Sequence, residues 1–547
     1  MKKTIEVLLC CLLMASLFGC KSSGDDDNAS IDLKEKSEES DLSVYPHIST
    51  ELINSFYESK RNETNWGVYV DWESNESANE AFKRFRDFSK RFVLSSIERG
   101  ENEIISPLSV YYAMAILANG ADNDSRLQLE NALGMSTEDL NKFLCDLDLS
   151  ALGYQDEKDY IKVNSLWFNT HEGLRLKDEF KSVIEKYYGN CIGEYDFKDG
   201  SALAETVNKW ASDNSGGSIS DLVEQSDFNE TSSFIILNAL AAGEKWDMPF
   251  DTSKTYLQEF HSYDGSIGMT EMMHDTLWGH WNDDLSEGFS KRLQNGLMFI
   301  GILPNEGIDV YDYLNQMSDS SLGKYAEMNT EYGNEEVAPD GWNCIADYHF
   351  TNLSFPKLNF EKEYDLKETF LKMGLKDLFD PSTADLSAMA QGDQAIVDLL
   401  FVDKIKQKCS IEVDEEKCVA SAVTMVSGGL GAGGCEERQR IYHDVVFDRP
   451  FVIAITDYSR EMTMPLFIGV VSKLGEPLEG GFRIENITGK INIRKGASTK
   501  AEKDGHFEKG QVFYAFEKTE AEGYTWYRIG TDRWVADKNG EWIKVLD

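Results

Sequence analysis

Residue types that carry catalysis in other proteins are present in this chain, but their spacing forms none of the usual catalytic motifs. The 8 histidines are scattered along 547 residues, and neither an HExxH nor a GxSxG motif occurs. No two of the 9 cysteines have CxxC spacing, and none clusters with histidine at metal-ligand spacing. We therefore predict no catalytic residue, no metal site and no cofactor, which argues against an enzyme.

The segment over residues 411–451 indicates a function that depends on backbone conformation rather than on reactive side chains. It begins with the alternating sequence IEVDEE, continues through small and β-branched residues at 420–424, and loosens at the glycine-rich residues 427–434. A loop this long inside a folded domain is uncommon unless it is functional or disordered. Little in the side chains of its first half obstructs strand pairing. The segment therefore predicts a conformational change in which a loop becomes a strand.

The composition is that of a folded and strongly acidic protein. Apolar residues make up 41 %, and the chain has 11 Trp, 23 Tyr and 29 Phe, which excludes wholesale disorder. The formal net charge is −42, from 54 Lys and Arg against 96 Asp and Glu. A nucleic-acid partner would require a basic surface, so we expect no nucleic-acid binding.

The N-terminus has the features of a bacterial targeting segment. Lysines at positions 2 and 3 precede an apolar run over residues 7–18, which is too short for an ordinary membrane span. The run ends in LFGC, which resembles a lipobox and would make Cys20 the lipidated first residue, with an ordinary secretory signal as the alternative. The following KSSGDDD resembles the export tag of surface lipoproteins. We predict an extracytoplasmic protein that is lipid-anchored in a Gram-negative outer membrane and exposed at the surface, with the periplasmic face as the alternative.

Helical and strand patterns alternate without a regular βαβ rhythm, which predicts an α+β fold. Phe82, Phe85, Phe88 and Phe92 give one apolar helix face. Further helices are predicted over residues 177–188, 205–214 and 365–373, and strands over 234–240, 297–303, 451–456 and 466–471. The predicted organisation is a signal peptide over 1–20, an acidic tether and extension over 21–77, a main domain over 78–475 and a small β domain over 484–547.

From about residue 78 to residue 473, a series of motifs resembles the serpin family in content and order. The stretch NEIISPLS, which begins at Asn102, looks like the second serpin helix and the residues before it. The segments NSLWF at Asn164 and GEKWDMPF at Gly243 follow in serpin order. They are succeeded by FPKLNFEKEYDLKETFLKMGLKDLF, ending at Phe379, and by DRPF at Asp448. The resemblance implies three β-sheets with surrounding helices and an exposed reactive-centre loop.

The resemblance also implies a function, the suicide inhibition of serine or cysteine endopeptidases. The peptidase attacks one bond of the reactive loop and forms an acyl-enzyme. The freed loop then inserts as a new strand into the central sheet and distorts the peptidase before hydrolysis finishes. A metastable native state, held by kinetics, supplies the energy. A non-inhibitory binding or adhesion protein on a serpin scaffold is the alternative.

Roles for particular residues follow from the same resemblance. Ser106, Ser109, Asn238 and Gln407 match the shutter beneath the central sheet, and Gln407 stands where many serpins have His. Trp246 matches the large aromatic residue at the breach, where the loop first enters the sheet. The hinge that opens the inserting segment matches Glu415, Glu416, Lys417, Cys418, Val419, Ala420, Ser421 and Ala422.

The hinge departs from the serpin pattern at two positions. Lys417 and Cys418 stand where serpins typically have Gly and then Thr or Ser. Cys418 is small enough for a position buried on insertion, and strand alternation would turn Lys417 toward solvent. We therefore expect inhibition to be retained.

The position of the cleaved bond is ambiguous because the loop carries a glycine-rich insertion. Counting forward from the hinge gives Leu430 or Gly431, whereas counting back from Pro450 gives Arg438 or Arg440. Slack in the inserted strand would let the acyl-enzyme hydrolyse, so we favour the forward count. Leu430 would attract elastase- or chymotrypsin-like peptidases, and the arginines would attract trypsin-like ones.

Three cysteines raise the hypothesis of a redox restraint on the loop. Cys418 and Cys435 lie at opposite ends of the insertable half, and a disulfide between them, or from either to Cys409, would block insertion until reduced. Free thiols are the alternative.

Residues 484–547 resemble a bacterial SH3-like barrel. Short strand patterns alternate with glycine-containing turns, as in NIRKG and FEKG. Such barrels often bind peptidoglycan or peptides, and Tyr524, Trp526 and Trp534 are candidate contacts. The alternative is that the aromatic residues fill the barrel's own core, and for Trp534 both assignments stay open.

Overall fold

Helices and strands are interspersed along the chain, which confirms the predicted α+β class. The computed structural model describes residues 76–151, 161–189, 192–214, 221–228, 232–241, 245–293, 297–317, 322, 348–416, 440–457, 464–477, 482–507, 509–530 and 533–546. The helices are α1 (Glu76–Ser96), α2 (Pro107–Gly120), α3 (Asn123–Leu133), α4 (Thr137–Ala151), α5 (Asp178–Tyr188), α6 (Gly200–Asn214), α7 (Val310–Gln316), α8 (Lys367–Lys372) and α9 (Gln394–Val397).

The strands fall into a main part, β1 to β18, and a C-terminal part, β19 to β26. The main strands are β1 (Glu103–Ile105), β2 (Ile161–Asn169), β3 (Arg175–Leu176), β4 (Ile192–Tyr195), β5 (Phe234–Ala241), β6 (Tyr256–His261), β7 (Ile267–Trp278), β8 (Trp281–Asn282), β9 (Ser286–Arg292), β10 (Leu297–Pro304), β11 (Tyr348–Pro356), β12 (Leu358–Asp365), β13 (Ala390–Gln391), β14 (Lys406–Val413), β15 (Arg440–Val446), β16 (Phe451–Asp457), β17 (Met464–Val471) and β18 (Glu476–Pro477).

The helices begin and end where local hydrogen bonding and side-chain patterning direct. The four phenylalanines of α1 are fully buried, as their spacing predicts. α2 begins with Pro107 at its first turn and is capped by Ser106, whose side chain accepts a hydrogen bond from the Ser109 amide. α6 begins before the predicted residue 205, because the Asp199 carboxylate accepts a hydrogen bond from the Ala202 amide.

A six-stranded sheet, sheet I, forms the centre of the main domain. Its order is β1-β17-β16-β10-β9-β8. Every residue of β10, β16 and β17 is buried. Such continuous apolar strands indicate a sheet covered on both faces, and the main hydrophobic core surrounds it.

Two smaller sheets lie side by side, and we call them together sheet II, with each forming one half. β4-β2-β5 form one half, and β12-β14 form the other. β14 lies beside β5, yet no ladder joins them in the part of the chain that the structure describes. The division leaves two strand edges facing each other, at the place where a further strand would complete one sheet.

A third sheet, sheet III, has the order β15-β11-β7-β18, with β6 paired to β7. β15 runs parallel to β11. β14 of sheet II and β15 of sheet III therefore flank residues 417–439, which lie outside the described residues. The predicted loop thus connects two different sheets.

The C-terminal β module, residues 482–546, has its own small core. Its strands are β19 (Phe482–Asn486), β20 (Ile491–Arg494), β21 (Lys503–Phe507), β22 (Val512–Ala515), β23 (Glu517–Ala521), β24 (Tyr524–Gly530), β25 (Arg533–Asp537) and β26 (Ile543–Leu546). They form the sheets β22-β19-β26 and β21-β20-β25-β24-β23. Ile484, Phe507 and Val535 are among the fully buried residues of the module core. Among the helices in the described ranges, none is long and apolar enough to span a membrane.

Candidate functional site: the hinge and the shutter

The predicted hinge begins directly after β14, where Glu415 is held by several contacts. Its carboxylate lies 2.9 Å from the Lys357 ammonium, which also lies 3.3 Å from the Glu271 carboxylate. We call Glu415 and Lys357 the hinge ion pair. The Glu415 side chain is only 11 % exposed. Its backbone carbonyl accepts a hydrogen bond of 2.9 Å from the Phe250 amide. Both ends of the residue are therefore bonded to other elements.

The electrostatics of the hinge ion pair favour both charged forms. Burial works to raise the pKa of Glu415, but the nearby Thr255 side chain and the Lys357 ammonium more than offset it and lower the pKa below the ordinary value. Burial works to lower the pKa of Lys357, but the carboxylates of Glu415 and Glu271 raise it overall. The pair is therefore ionised at neutral pH.

Trp246, assigned to the breach by the serpin resemblance, lies beside the hinge. It is fully buried. Its indole N–H donates a hydrogen bond of 2.9 Å to the Asp414 carbonyl. Its ring meets those of Phe250 and Phe299 edge-on, with centroids 5.6 and 5.4 Å away. The indole thus links the last residue before the hinge to sheet I.

Of the remaining predicted hinge residues, the structure describes Glu416. Glu416 is exposed, and its amide donates a hydrogen bond of 2.9 Å to the Asp414 carboxylate. The other predicted hinge residues, 417–422, lie outside the described residues, so the solvent-facing orientation of Lys417 stays a prediction.

The structure brings together three of the four predicted shutter residues. The Gln407 side chain bridges Ser106, accepting from its amide at 3.2 Å and donating to its carbonyl at 3.0 Å. The Ser106 hydroxyl donates to the Leu466 carbonyl at 2.8 Å and accepts from the Ser109 amide at 3.3 Å. Gln407 on β14 is thereby bonded to the start of α2 and, through Ser106, to β17. For Asn238 the structure describes the backbone, which pairs with that of Asn164 in the β2–β5 ladder.

A second buried polar group under the same strands was not predicted from the sequence. The Glu103 side chain is fully buried and lies 3.0 Å from the Lys362 ammonium. It also accepts a hydrogen bond from the Tyr364 hydroxyl. Glu103 and Tyr364 are 261 residues apart. The one available signal was a charged residue within the apolar strand of β1.

Comparisons with known proteins match this geometry. The serpin (serine protease inhibitor) family model matches residues 83–474, which is most of the chain. This chain belongs to the serpin family. Serpins are protease inhibitors rather than enzymes in general.

Relatives and a solved structure are similar to this serpin over most of its length. Neuroserpin of Gallus gallus is 24 % identical over 384 residues, covering 69 % of this chain and 87 % of that protein. A putative non-inhibitory serpin-10 of Oryza sativa subsp. japonica is 26 % identical over 398 residues, covering 69 % of this chain and 95 % of that protein. The native-state crystal structure of the thermophilic serpin tengpin has a TM-score of 0.59 at 27 % identity, covering 74 % of this chain and 96 % of that one.

Of the four candidates for the serpin's cleaved bond, one lies among the described residues. Arg440 is the first residue of β15, is exposed, and pairs with Tyr348 of β11. Leu430, Gly431 and Arg438 lie outside the described residues. Arg440 therefore sits in a strand ladder of sheet III.

Cys409 is a free thiol that faces the core of the serpin domain from β14. It is 3 % exposed, and burial raises its pKa to about 12. A disulfide from Cys409 to the loop would require the side chain to turn out of the core. Cys418 and Cys435 lie outside the described residues, so a disulfide between them stays a hypothesis.

Three histidines meet on sheet III near the start of β15. His349 Nδ1 and His443 Nε2 lie 2.8 Å apart and share a hydrogen bond. The His280 ring stacks on that of His443, with centroids 3.9 Å apart. Within the described ranges, no group of three or more His, Cys, Asp or Glu residues is placed to hold a metal ion.

One of the three candidate contact residues of the C-terminal β module differs from the prediction. Trp526, predicted as a surface contact, is fully buried, and its indole N–H donates to the Ala521 carbonyl at 3.0 Å. That assignment is wrong, because the ring is enclosed and its polar atom is bonded internally. Trp534, for which a surface contact and a core position were both open, is partly exposed, as is Tyr524.

Proposed function

We propose that this chain is a suicide inhibitor of serine endopeptidases, and of cysteine endopeptidases by the same acyl-enzyme chemistry. The observation that carries the proposal is the division of sheet II. β14 lies beside β5 without a ladder to it among the described residues, and β14 leads into residues 417–439. A strand inserted between them gains backbone hydrogen bonds along both of its edges.

The covalent step uses the peptidase's own nucleophile. Its serine hydroxyl or cysteine thiol bonds to the carbonyl carbon of one loop residue, and the peptide C–N bond breaks. The new amine leaves with a proton, and the loop remains bound as an ester or thioester. The loop then inserts next to β14, carrying the peptidase with it before water hydrolyses the ester. This chain needs no catalytic group for that sequence.

The bond we propose for productive trapping is the one after Leu430 or Gly431. A peptidase must bind several extended residues around the bond that it cleaves. The ladder between Arg440 and Tyr348 opposes such binding at Arg440. We expect cleavage after Arg438 or Arg440 to release active peptidase.

Incubation with elastase-, chymotrypsin- and trypsin-like peptidases, followed by denaturing electrophoresis and mass spectrometry, tests the proposal. We expect a stable covalent band with an elastase- or chymotrypsin-like enzyme and a new N-terminus just after residue 430 or 431. Clean loop cleavage with full recovery of peptidase activity would overturn it.

A matched pair of loop variants sharpens that experiment. Counted from Cys418, which the serpin resemblance places at a position buried on insertion, strand alternation would turn Ala420 toward the core and Ser421 toward solvent. Ala420→Arg should therefore convert the inhibitor into a substrate, because insertion would bury an unpaired charge. Ser421→Arg should leave the covalent band unchanged.

A non-inhibitory binding protein on the serpin scaffold is the second candidate, and Lys417 favours it. Lysine replaces the glycine whose backbone freedom serpin hinges typically use. The rice relative described above is named a putative non-inhibitory serpin. If Lys417 blocks insertion, Lys417→Gly should create a covalent band that the unchanged protein lacks.

We further propose that Cys20 carries a lipid that anchors the protein in an outer membrane, and that the C-terminal β module is an SH3-like domain for peptidoglycan or peptide. A Cys20→Ser variant should leave the membrane fraction and lose incorporation of labelled fatty acid. Binding of the full chain to cell-wall sacculi should fall in Tyr524→Ala and Trp534→Ala variants. Equal recovery of the variants would remove the wall-binding role.

A further inference from the structure

The C-terminal β module rests on the main domain beside the hinge. The Tyr256 ring of β6 lies between the Phe513 ring of the module, at 4.5 Å, and the His274 ring of β7, at 4.0 Å. Tyr514 of the module is 9 % exposed and packs with Leu257 and Met269. The module therefore covers the β6–β7 hairpin with apolar side chains.

A buried arginine ties the same module to the turn before β6. Arg533 is 6 % exposed. Its guanidinium donates to the carbonyls of Ser253 and Asp504, both at 3.1 Å, and lies 3.0 Å from the Asp504 carboxylate. A buried charge that lost these partners would be costly, so the contact holds the module in one position.

Gly505 permits the close approach of module and turn. Its φ is +103°, and a Cβ atom there would lie 2.9 Å from the Ser253 carbonyl oxygen. Such a contact is too close for a carbon atom to occupy without displacement of the backbone. A side chain at this position would therefore push the two surfaces apart.

The turn that the module contacts also holds the hinge from both of its ends. Phe250 precedes the turn, and its amide donates to the Glu415 carbonyl at 2.9 Å. Thr255 follows it, is 2 % exposed, and interacts with the Glu415 carboxylate. Glu271, on the covered strand β7, is the second partner of Lys357. Fixing residues 250–255 and β7 therefore fixes Phe250 and Thr255, which contact Glu415, and Glu271, which shares Lys357 with it.

We propose that the C-terminal β module is an internal restraint on the hinge, which slows the release of Glu415 and so slows loop insertion. Insertion requires the residues after β14 to leave their native bonds, because the new strand begins there. A docked module opposes that movement through Ser253 and Tyr256. A ligand that pulls the module away would accelerate it. The effect on insertion rests on the proposed function, whereas the restraint of Glu415 does not.

A matched pair of glycine variants in the full chain tests the restraint. Gly505 and Gly523 both have positive φ, but a Cβ at Gly523 meets nothing within 4 Å. Both Ala variants are strained because a side chain is placed at positive φ, but only Gly505→Ala displaces the module. Arg533→Met, with Arg494→Met as its control within the module, provides a second pair.

Hydrogen exchange at the Phe250 amide is the readout, with the β6 amides reporting module displacement. We expect exchange at Phe250 to rise about tenfold in Gly505→Ala, equivalent to about 1.4 kcal/mol, and to change less than about twofold in Gly523→Ala. If β6 exchanges faster while Phe250 does not, the restraint is refuted. If neither Gly505→Ala nor Arg533→Met alters amide exchange in β6, these contacts do not hold the module in place and the proposal also fails.

The rate of covalent complex formation with a peptidase separates this proposal from the proposed function. Faster exchange at Phe250 with no covalent complex in any variant would support the restraint and refute inhibition. Faster exchange together with unchanged rates of complex formation and of spontaneous conversion to a heat-resistant form would refute the step from hinge to insertion.

Discussion

Replacing Gln407 by leucine should destabilise the native state through one hydrogen-bond pair. The Gln407 side chain is 1 % exposed and makes both of its bonds to the Ser106 backbone. Leucine has a similar size but neither donates nor accepts. The perturbation therefore isolates the polar link between β14 and α2.

The two bonds are not equivalent, and the structure allows their loss to be weighed separately. The Ser106 carbonyl keeps the first bond of α2, from the Val110 amide at 3.4 Å. The Ser106 amide loses the Gln407 acceptor inside the protein. A buried donor left unsatisfied costs about 1–3 kcal/mol, and the second bond about 0.5–1.5 kcal/mol. Because burying the leucine side chain recovers part of this cost, we expect the free energy of unfolding to fall by about 2–3 kcal/mol.

The first urea-induced transition, followed by tryptophan fluorescence, measures this loss. Gln394→Leu is the control, because Gln394 is exposed and bonds only to the neighbouring Asp398. We expect the control to change the free energy of unfolding by less than about 0.5 kcal/mol. A Gln407→Leu protein as stable as the control would refute the reasoning that this side chain joins the strands to α2.

Three further predictions follow from buried titratable groups. Lys357→Met should speed exchange at the Phe250 amide, at a cost of about 1–2 kcal/mol, because it leaves Glu415 unpaired. Since the pKa of Glu415 is lowered and that of Lys357 raised, their contributions are lost below about pH 4 and above about pH 10.5, respectively; a flat pH profile in the unchanged protein would count against the pair. Cys409, with a pKa of about 12, should stay unlabelled by iodoacetamide at pH 8 until urea unfolds the chain, as peptide mapping would report. Burial and neighbouring histidines lower the pKa of His280 to about 4 and also lower that of His443, so β15 should lose stability as pH falls from about 6.5 toward 4, and His443→Gln should reduce that loss in hydrogen exchange.

The main-domain fold was predictable where the spacing of apolar residues or the order of motifs specified an element. The phenylalanine spacing of α1, the apolar strands of sheet I and the strand character of residues 411–413 all match the structure. Helix ends were less predictable, because α6 begins at a cap from Asp199 rather than where the apolar pattern starts.

Polar contacts between distant residues were not predictable from spacing. Lys357 lies in the serpin-like segment that ends at Phe379, but nothing in the sequence pairs it with Glu415. The position of the C-terminal β module depends on Arg533 and Gly505, whose roles arise only when β25 and β21 meet the turn at Ser253. Trp526 shows the same limit, since an aromatic residue in a short strand can face either side.

The division of sheet II carries the central claim, and hydrogen exchange before and after loop cleavage tests it most directly. After a peptidase cuts within residues 417–439, the amides of β5 and β14 that face the gap should become strongly protected as the loop pairs with both strands. The cleaved protein should also resist heat better than the intact one. Unchanged exchange in β5 and β14, with no gain in heat resistance, would contradict insertion and with it the proposed inhibitory mechanism.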